Sequence, residues 1–377
     1  MQALLALEDG TLYRGTAFGA TGTSCGEVCF NTSMSGYQEV LTDPSYRGQI
    51  VAMTYPEIGN YGIHPDDNES AAPQVAGFVI RNLSPIASNW RSRETLEHFL
   101  YRHNIIGIQG VDTRALTLKL RTVGALRGVI TTEPLTPEEA VARARSFHYL
   151  GRDFVKEVTT SAPYTWDENA QESLSPIEKI NSLPAYRHRI VAYDFGIKRN
   201  ILRRLRQHGF QVTVVPAETS AEDVLALKPD GLFLSNGPGD PSELRYVHEN
   251  LRQLVGKIPI FGICLGHQML TYALGGRTFK LKFGHRGGNQ PVKDLRTGKV
   301  AITAQNHGFA TDPESFKDTA VVITQINLND GTCEALAHRE FPIFSVQYHP
   351  EAAPGPNDAV PFFQEFSEMI ATRAPRV

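Results

Sequence analysis

In the second half of the chain, short apolar runs alternate with stretches of helical period. Arg189-Ile-Val-Ala-Tyr193 reads as a buried strand ended by Asp194-Phe-Gly196. Asn200–His208 follows with Ile201, Leu202 and Leu205 on one face, the spacing of an amphipathic helix. The rhythm then repeats. Strands are predicted over Gln211–Val215, Gly231–Leu234 and Ile258–Ile263, and helices over Ala221–Leu227, Tyr246–Val255 and Gln268–Leu274. Ser220 is placed to cap the first of these helices, and Gly275-Gly276 to stop the last. Alternation at this spacing predicts an α/β fold: a mostly parallel, doubly wound sheet with helices on both faces. Such sheets bind ligands at the carboxyl ends of their strands.

The first half has a different pattern. It is rich in Gly, Thr and Ser, with short β-prone runs at Gly26–Phe30, Gln49–Met53 and Ala76–Ile80. Turn signals between these runs suggest a mixed, mostly β domain, with helices expected around Thr95–Arg102 and Pro137–Arg145. Polar residues and scattered prolines dominate between the halves. The expected division is therefore 1–152, a linker at 153–188, and 189–377, which suits a chain of 377 residues.

Composition narrows the function classes. Hydrophobic content of 41% and charged content of 20% are ordinary for a globular protein. A net charge of −3 argues against nucleic-acid binding. Lys280, Lys282 and Arg286 form a local basic group, read as a solvated strand edge. Four cysteines in a chain this long make no disulfide framework. Cys25 and Cys29 have no second pair at zinc-ligand spacing, so they read as small core residues and no metal is expected. The opening Ala3–Leu7 run lacks a basic flank and is no secretory signal. No apolar run is long enough to span a membrane, and the expected location is the cytoplasm.

Candidate chemistry sits where the predicted strand ending at Ile263 turns into a helix. Gly262-Ile-Cys-Leu-Gly266 has the form of a nucleophile elbow, with two glycines relieving the crowding of a sharp strand-to-helix turn. Cys264 lies between them, and a thiolate at a helix N-terminus sits in a favourable field. A thiol nucleophile needs a base, and the base needs an orienting group. His349 follows the strand-like run Phe344–Tyr348 and precedes Pro350, which favours extended backbone. Residues two apart in extended chain share a face, so Glu351 can hold one imidazole nitrogen while the other takes the thiol proton. His267 is nearer in sequence, but the helix turns it from the attack face. The amide of Leu265 is a natural oxyanion donor, and a second donor is expected from Gly237-Pro-Gly239 at another strand end, where the alternative is an ordinary turn.

These residues carry a family resemblance. Ser235-Asn-Gly-Pro-Gly-Asp-Pro241, Gly262–Gln268 and Gln347-Tyr-His-Pro-Glu351 together resemble the class I glutamine amidotransferase domain, over roughly residues 189–373. Tyr193–Asn200, Lys282–Asn289, Gln305–Phe309 and Glu351–Pro356 narrow the resemblance to the carbamoyl-phosphate synthase small-subunit family. Gly26–Glu39 and Leu41–Tyr46 extend it into the first half. The resemblance implies hydrolysis of L-glutamine to glutamate and ammonia through a γ-glutamyl thioester on Cys264, with His349 as base then acid and Glu351 behind it. It further implies that Ser45, Gly237, Gly239, Leu265, Gln268, Asn306, Gly308 and Phe309 form the glutamine and oxyanion sites. Ser45, read from its own surroundings, is a turn residue after Pro44. His267 takes a supporting role.

The implied partner is a large synthetase subunit that uses ATP and Mg and makes carbamoyl phosphate for arginine and pyrimidine synthesis. No cofactor is expected in this chain, which shows no P-loop pattern. Higher oligomers of the heterodimer are left open. Rival readings are an amidotransferase subunit of another synthase, a free-standing glutaminase, and a non-catalytic module that kept the fold. The first half argues against the first two, and intact Cys264, His349 and Glu351 against the third.

Overall fold

The computed structural model describes residues 1–166, 183–317, 320–359 and 361–377. The chain forms two compact units: Met1–Arg152 with Lys282–Gly287, and Asp153–Leu281 with Gly288–Val377. Residues 167–182 of the expected linker lie outside the described residues.

The first unit is a closed barrel. Gln2–Leu7 pairs antiparallel with Leu12–Gly19 on one side and with Leu126–Thr131 on the other. Thr23–Asn31, Gln49–Met53, Gly77–Val79 and Ile106–Gln109 continue the circuit through parallel pairings. Ile106–Gln109 closes it, antiparallel to Leu12–Gly19. Side chains alternate between two apolar clusters, as the period of a strand requires. Leu5, Val28, Phe30, Ile50 and Ala52 meet in one cluster, whereas Cys29, Val51 and Met53 meet Tyr37, Val40, Leu41 and Tyr46 in another. The helix Pro137–Ser146 opens with a capping box at Thr136 and Glu139. It lays Ala140 and Ala144 against Leu4, Ala6 and Val129.

The short return segment Lys282–Gly287 belongs to this unit. Phe283 stacks on Phe30 with ring centroids 5.9 Å apart, and Thr32 N–H donates to the Arg286 carbonyl at 3.4 Å. This corrects the reading of the basic group. Lys280 and Lys282 are exposed, but Arg286 is only 3% exposed. Burial opposes its charge, and Cys29, Glu27 and two tyrosines outweigh that and hold the guanidinium above its ordinary value. Glu27 is far away in sequence, so no local pattern announces it.

The second unit contains a 10-stranded sheet. Five strands run parallel, in the order Phe210–Pro216, His188–Asp194, Gly231–Leu234, Ile260–Ile263 and Ile343–Val346. One residue set on these strands, Ile190, Val212, Phe233, Phe261 and Phe344, packs under the helices Arg199–Gln207 and Pro361–Thr372. The alternate set, Val191, Tyr193, Leu232, Leu234 and Ile260, packs under Arg245–Leu254 and Leu265–Ala273. Burial on both faces is why these strands read as unbroken apolar runs.

The sheet continues antiparallel on both sides. Tyr164–Trp166, in the stretch read as linker, pairs with Phe210–Pro216. Cys333–His338, Val321–Asn327 and Arg277–Asp294 extend the other side. A tight turn suffices to join antiparallel neighbours such as Val321–Asn327 and Cys333–His338, whereas parallel ones need helical crossovers. The four cysteines are free: Cys29, Cys264 and Cys333 are buried, and Cys25 is half-buried. Among the described residues no helix is long and apolar enough to cross a membrane.

Candidate active site

Cys264 stands between the central strand Ile260–Ile263 and the helix Leu265–Ala273, at φ 53° and ψ −103°. A non-glycine residue reaches such backbone only where its surroundings force it. Here the forcing is visible on both sides. The Cys264 amide donates to the Val346 carbonyl at 2.9 Å, and the Gly266 amide donates to the Ser235 carbonyl at 2.9 Å. A Cβ on Gly262 would lie 2.8 Å from the Gly266 carbonyl carbon, and one on Gly266 would collide with the backbone of Leu234. The helix begins at Leu265, three residues before the expected Gln268, because the turn is completed within a single residue. Its first amide, Leu265 N–H, is one that helical geometry leaves unpaired.

His349 and Glu351 follow the strand Ile343–Val346, and the extended chain expected between them is instead a turn, in which the Ala352 amide donates to the His349 carbonyl at 3.2 Å. His349 is anchored by its amide to the Ala304 carbonyl at 2.8 Å. Its Nδ1 lies 2.6 Å from Glu351 Oε1, and its Nε2 has no hydrogen-bond partner. Burial opposes a charged imidazole, but Glu351 and then Cys264 outweigh it and raise His349 above its ordinary 6.5. Burial would raise Glu351, but Lys198 first and His349 second pull it well below 4.5. The Cys264 thiol donates to the Asn306 carbonyl at 3.7 Å. Nucleophile, imidazole and carboxylate therefore form a buried row, with the free imidazole nitrogen on the side away from Glu351.

Lys198 and Asn200 escaped the sequence reading as site residues. Lys198 is 3% exposed, and its Nζ donates to Glu351 Oε1 at 2.9 Å and to the Ala352 carbonyl at 2.7 Å. Asn200 Nδ2 donates to the Glu351 carbonyl at 2.6 Å. The one available signal was a lysine four residues beyond a strand's carboxyl end, at the start of the helix Arg199–Gln207, which by itself resembles any solvated lysine.

Several other expected residues gather around this row. Gln268, on the elbow helix, donates from Nε2 to the Phe309 carbonyl at 2.9 Å and to Gln347 Oε1 at 3.1 Å. Asn306, Gly308 and Phe309 are neighbours on the strand Val300–Asp312. His307, between them, bridges Gln305 Oε1 and the Phe309 carbonyl, each at 2.7 Å. Gly237 is packed so closely that a Cβ would strike the Phe195 carbonyl and the Leu265 side chain. Gly239 has φ +95°, the left-handed region that glycine tolerates. His267 is fully buried, between Ser345 Oγ at 2.8 Å and Thr311 Oγ1 at 2.9 Å, and burial lowers it to about 3. It is a neutral strut behind the elbow. Ser45 belongs to the first unit, in the turn Pro44–Tyr46, where its amide donates to Asp43 Oδ1 at 2.9 Å.

Comparison with known proteins follows the same division of the chain. The family model for the carbamoyl-phosphate synthase small chain, CPSase domain, matches residues 5–130. The model for glutamine amidotransferase class-I matches residues 191–369. The carbamoyl phosphate synthase small chain of Akkermansia muciniphila is 58% identical over 371 residues, 98% of each chain. That of Syntrophotalea carbinolica is 57% identical over the same length and coverage. The chloroplastic small chain of Oryza sativa subsp. japonica is 52% identical over 369 residues, covering 98% of this chain and 82% of its own.

Proposed function

The chain belongs to the carbamoyl-phosphate synthase small-chain family, and from that membership and the row Cys264, His349, Glu351 we propose how its site works. It is the glutaminase subunit of a glutamine-hydrolysing carbamoyl-phosphate synthase, with L-glutamine as substrate and a large subunit as partner.

In the proposed reaction the Cys264 thiol proton passes to His349 Nε2, and Cys264 Sγ then attacks the carboxamide carbon of glutamine. The carbonyl oxygen becomes an oxyanion, met by the amides of Leu265 and Gly237. As the intermediate collapses, the C–N bond breaks and His349 returns the proton to the leaving nitrogen. Ammonia departs, and a γ-glutamyl thioester remains. Water then attacks the thioester, with His349 accepting its proton and passing it to the departing Cys264 sulfur. Glutamate is released and the thiol restored. Glu351 holds the imidazole by Nδ1 throughout and favours its charged form, which is a positioning and electrostatic task.

Ser45, Gly239, Gln268, Asn306, Gly308 and Phe309 are assigned to holding the substrate. The first unit is assigned the structural and partner-facing role. ATP and Mg chemistry is assigned to the large subunit, where ammonia meets activated bicarbonate. The heterodimer is assigned to the cytoplasm, and its carbamoyl phosphate to arginine and pyrimidine synthesis.

The observation that carries this reading is the elbow: a buried cysteine at positive φ on a helix N-terminus, beside an imidazole whose far nitrogen is tied to a carboxylate. The test is Cys264→Ala in the assembled synthase. Glutamine-dependent synthesis should vanish while ammonia-dependent synthesis persists, and retained glutamine use would overturn the assignment.

A further inference from the structure

Gln347 lies two residues before His349, in the bend that follows the strand Ile343–Val346. Gln347 is fully buried. Its Oε1 accepts from Gln268 Nε2, and its own Nε2 has no partner. Gln268 Nε2 also donates to the Phe309 carbonyl. A backbone carbonyl only accepts, so this second contact decides which end of the Gln268 amide is nitrogen. The opposite flip would set two oxygens against each other. With one N–H on Phe309 and the other on Gln347, Gln268 has no donor left to offer. Its Oε1 has no partner among the described residues and remains an acceptor.

L-Glutamine presents three polar groups. The carboxamide reacts at Cys264, and the carboxylate accepts only. The α-ammonium donates only, and it is the group that a free carbonyl oxygen suits. We infer that Gln347 is a positioning residue that locks the Gln268 amide so that its Oε1 receives the α-ammonium of the substrate. The inference rests on the assignment of Gln268 to the glutamine site.

The test uses the assembled synthase with Gln347→Met, of similar length but without an acceptor, and Gln347→Glu, which keeps the oxygen. Three quantities are measured: KM and kcat for L-glutamine, the same for its deamino analogue glutaramic acid, and the rate at which iodoacetamide alkylates Cys264. Ammonia-dependent synthesis reports folding and assembly. In Gln347→Met, KM for L-glutamine should rise roughly ten- to a hundredfold, the scale of one hydrogen bond to a charged group. Its kcat should stay within about threefold, because ground-state and transition-state binding fall together. Alkylation and use of the deamino analogue should not change, and Gln347→Glu should restore most of the lost affinity. An unchanged KM for L-glutamine, or an equal loss for the deamino analogue, would overturn the inference. If Gln347→Met does not fold, Gln347→Glu decides alone, and a large KM loss there counts against it. Failure of the underlying assignment is separate, since it shows as glutamine use in Cys264→Ala.

Discussion

Lys198 and His349 share a single oxygen atom. Both lie against Oε1 of Glu351, Lys198 at 2.9 Å and His349 at 2.6 Å, while Oε2 of the same carboxylate has no partner. The carboxylate is fully buried and lies between two positive groups. One negative charge thus stabilises two cations, and each cation affects how strongly the other is held.

Replacing Lys198 with Met should therefore act through the imidazole. Removing one member of a buried ion pair typically costs about 3–5 kcal/mol, because the remaining charge is left uncompensated. Glu351 should also become easier to protonate, since Lys198 is the stronger of the two groups that depress it. The acidic limb of the glutaminase pH profile should then move to higher pH in Lys198→Met. An acidic limb in the wild-type position would mean that Lys198 does not tune Glu351.

Two of the buried histidines, His349 and His267, should give opposite pH slopes in stability. His349 is raised in the folded state, so its contribution is complete below 6.5 and is lost as pH climbs toward the folded value. Above neutrality, wild type minus His349→Asn should fall by about 1.4 kcal/mol per pH unit. His267 is lowered, so its contribution is complete above 6.5 and is lost as pH falls. Urea titrations of wild type, His349→Asn and His267→Asn at a series of pH values would show both slopes. Parallel curves for all three proteins would contradict the assigned charge states.

Cys264 holds a conformation that glycine adopts at lower cost. Cys264→Gly should thus be more stable than Cys264→Ala by about 1 kcal/mol, the reverse of the usual order near a helix. Both variants should lack glutaminase activity. Chemical denaturation of the two side by side is sufficient, and a more stable alanine variant would show that the elbow is not strained.

The elbow should tolerate no added carbon on its inner side. Gly266→Ala places a Cβ into the backbone of Leu234, which is fixed in the middle of the sheet. Overpacking of this kind costs about 1–3 kcal/mol or more. A clear drop in melting temperature is expected, together with loss of glutamine hydrolysis. Gly275→Ala, where the added atom would meet nothing within 4 Å, should melt closer to wild type despite its own positive φ of 84°.

Much of this site was legible because its signals are local. The Gly262 and Gly266 pair marks the elbow within five residues, and the two-residue spacing of His349 and Glu351 announces their contact, although a turn rather than extended chain makes it. Ser220 caps its helix as its position predicts. What escaped depends on distant partners. Lys198 matters only because Glu351 and Ala352 arrive 153 and 154 residues later. Arg286 could not be told from a solvated arginine, since Glu27 and Cys29 hold it from the other end of the chain. The helix Thr113–Val123 was missed although Asp112 caps it and Leu116 and Leu120 share its buried face. There the local cue was present, and the surrounding β-prone runs masked it.

The return of Lys282–Gly287 to the barrel has a consequence for how the protein is made. A ribosome delivers the strands of the first unit within the first 131 residues, but the segment carrying Phe283 and Arg286 emerges only after most of the parallel sheet has been synthesised. Synthesis at about 5–20 residues per second makes that a wait of roughly 8–30 seconds. During the wait Phe30 lacks its stacking partner, and Thr32 lacks the carbonyl it binds. The nascent first unit must therefore survive with its strands complete but this packing unfinished, and a gene cut after residue 152 would encode a unit that lacks it permanently.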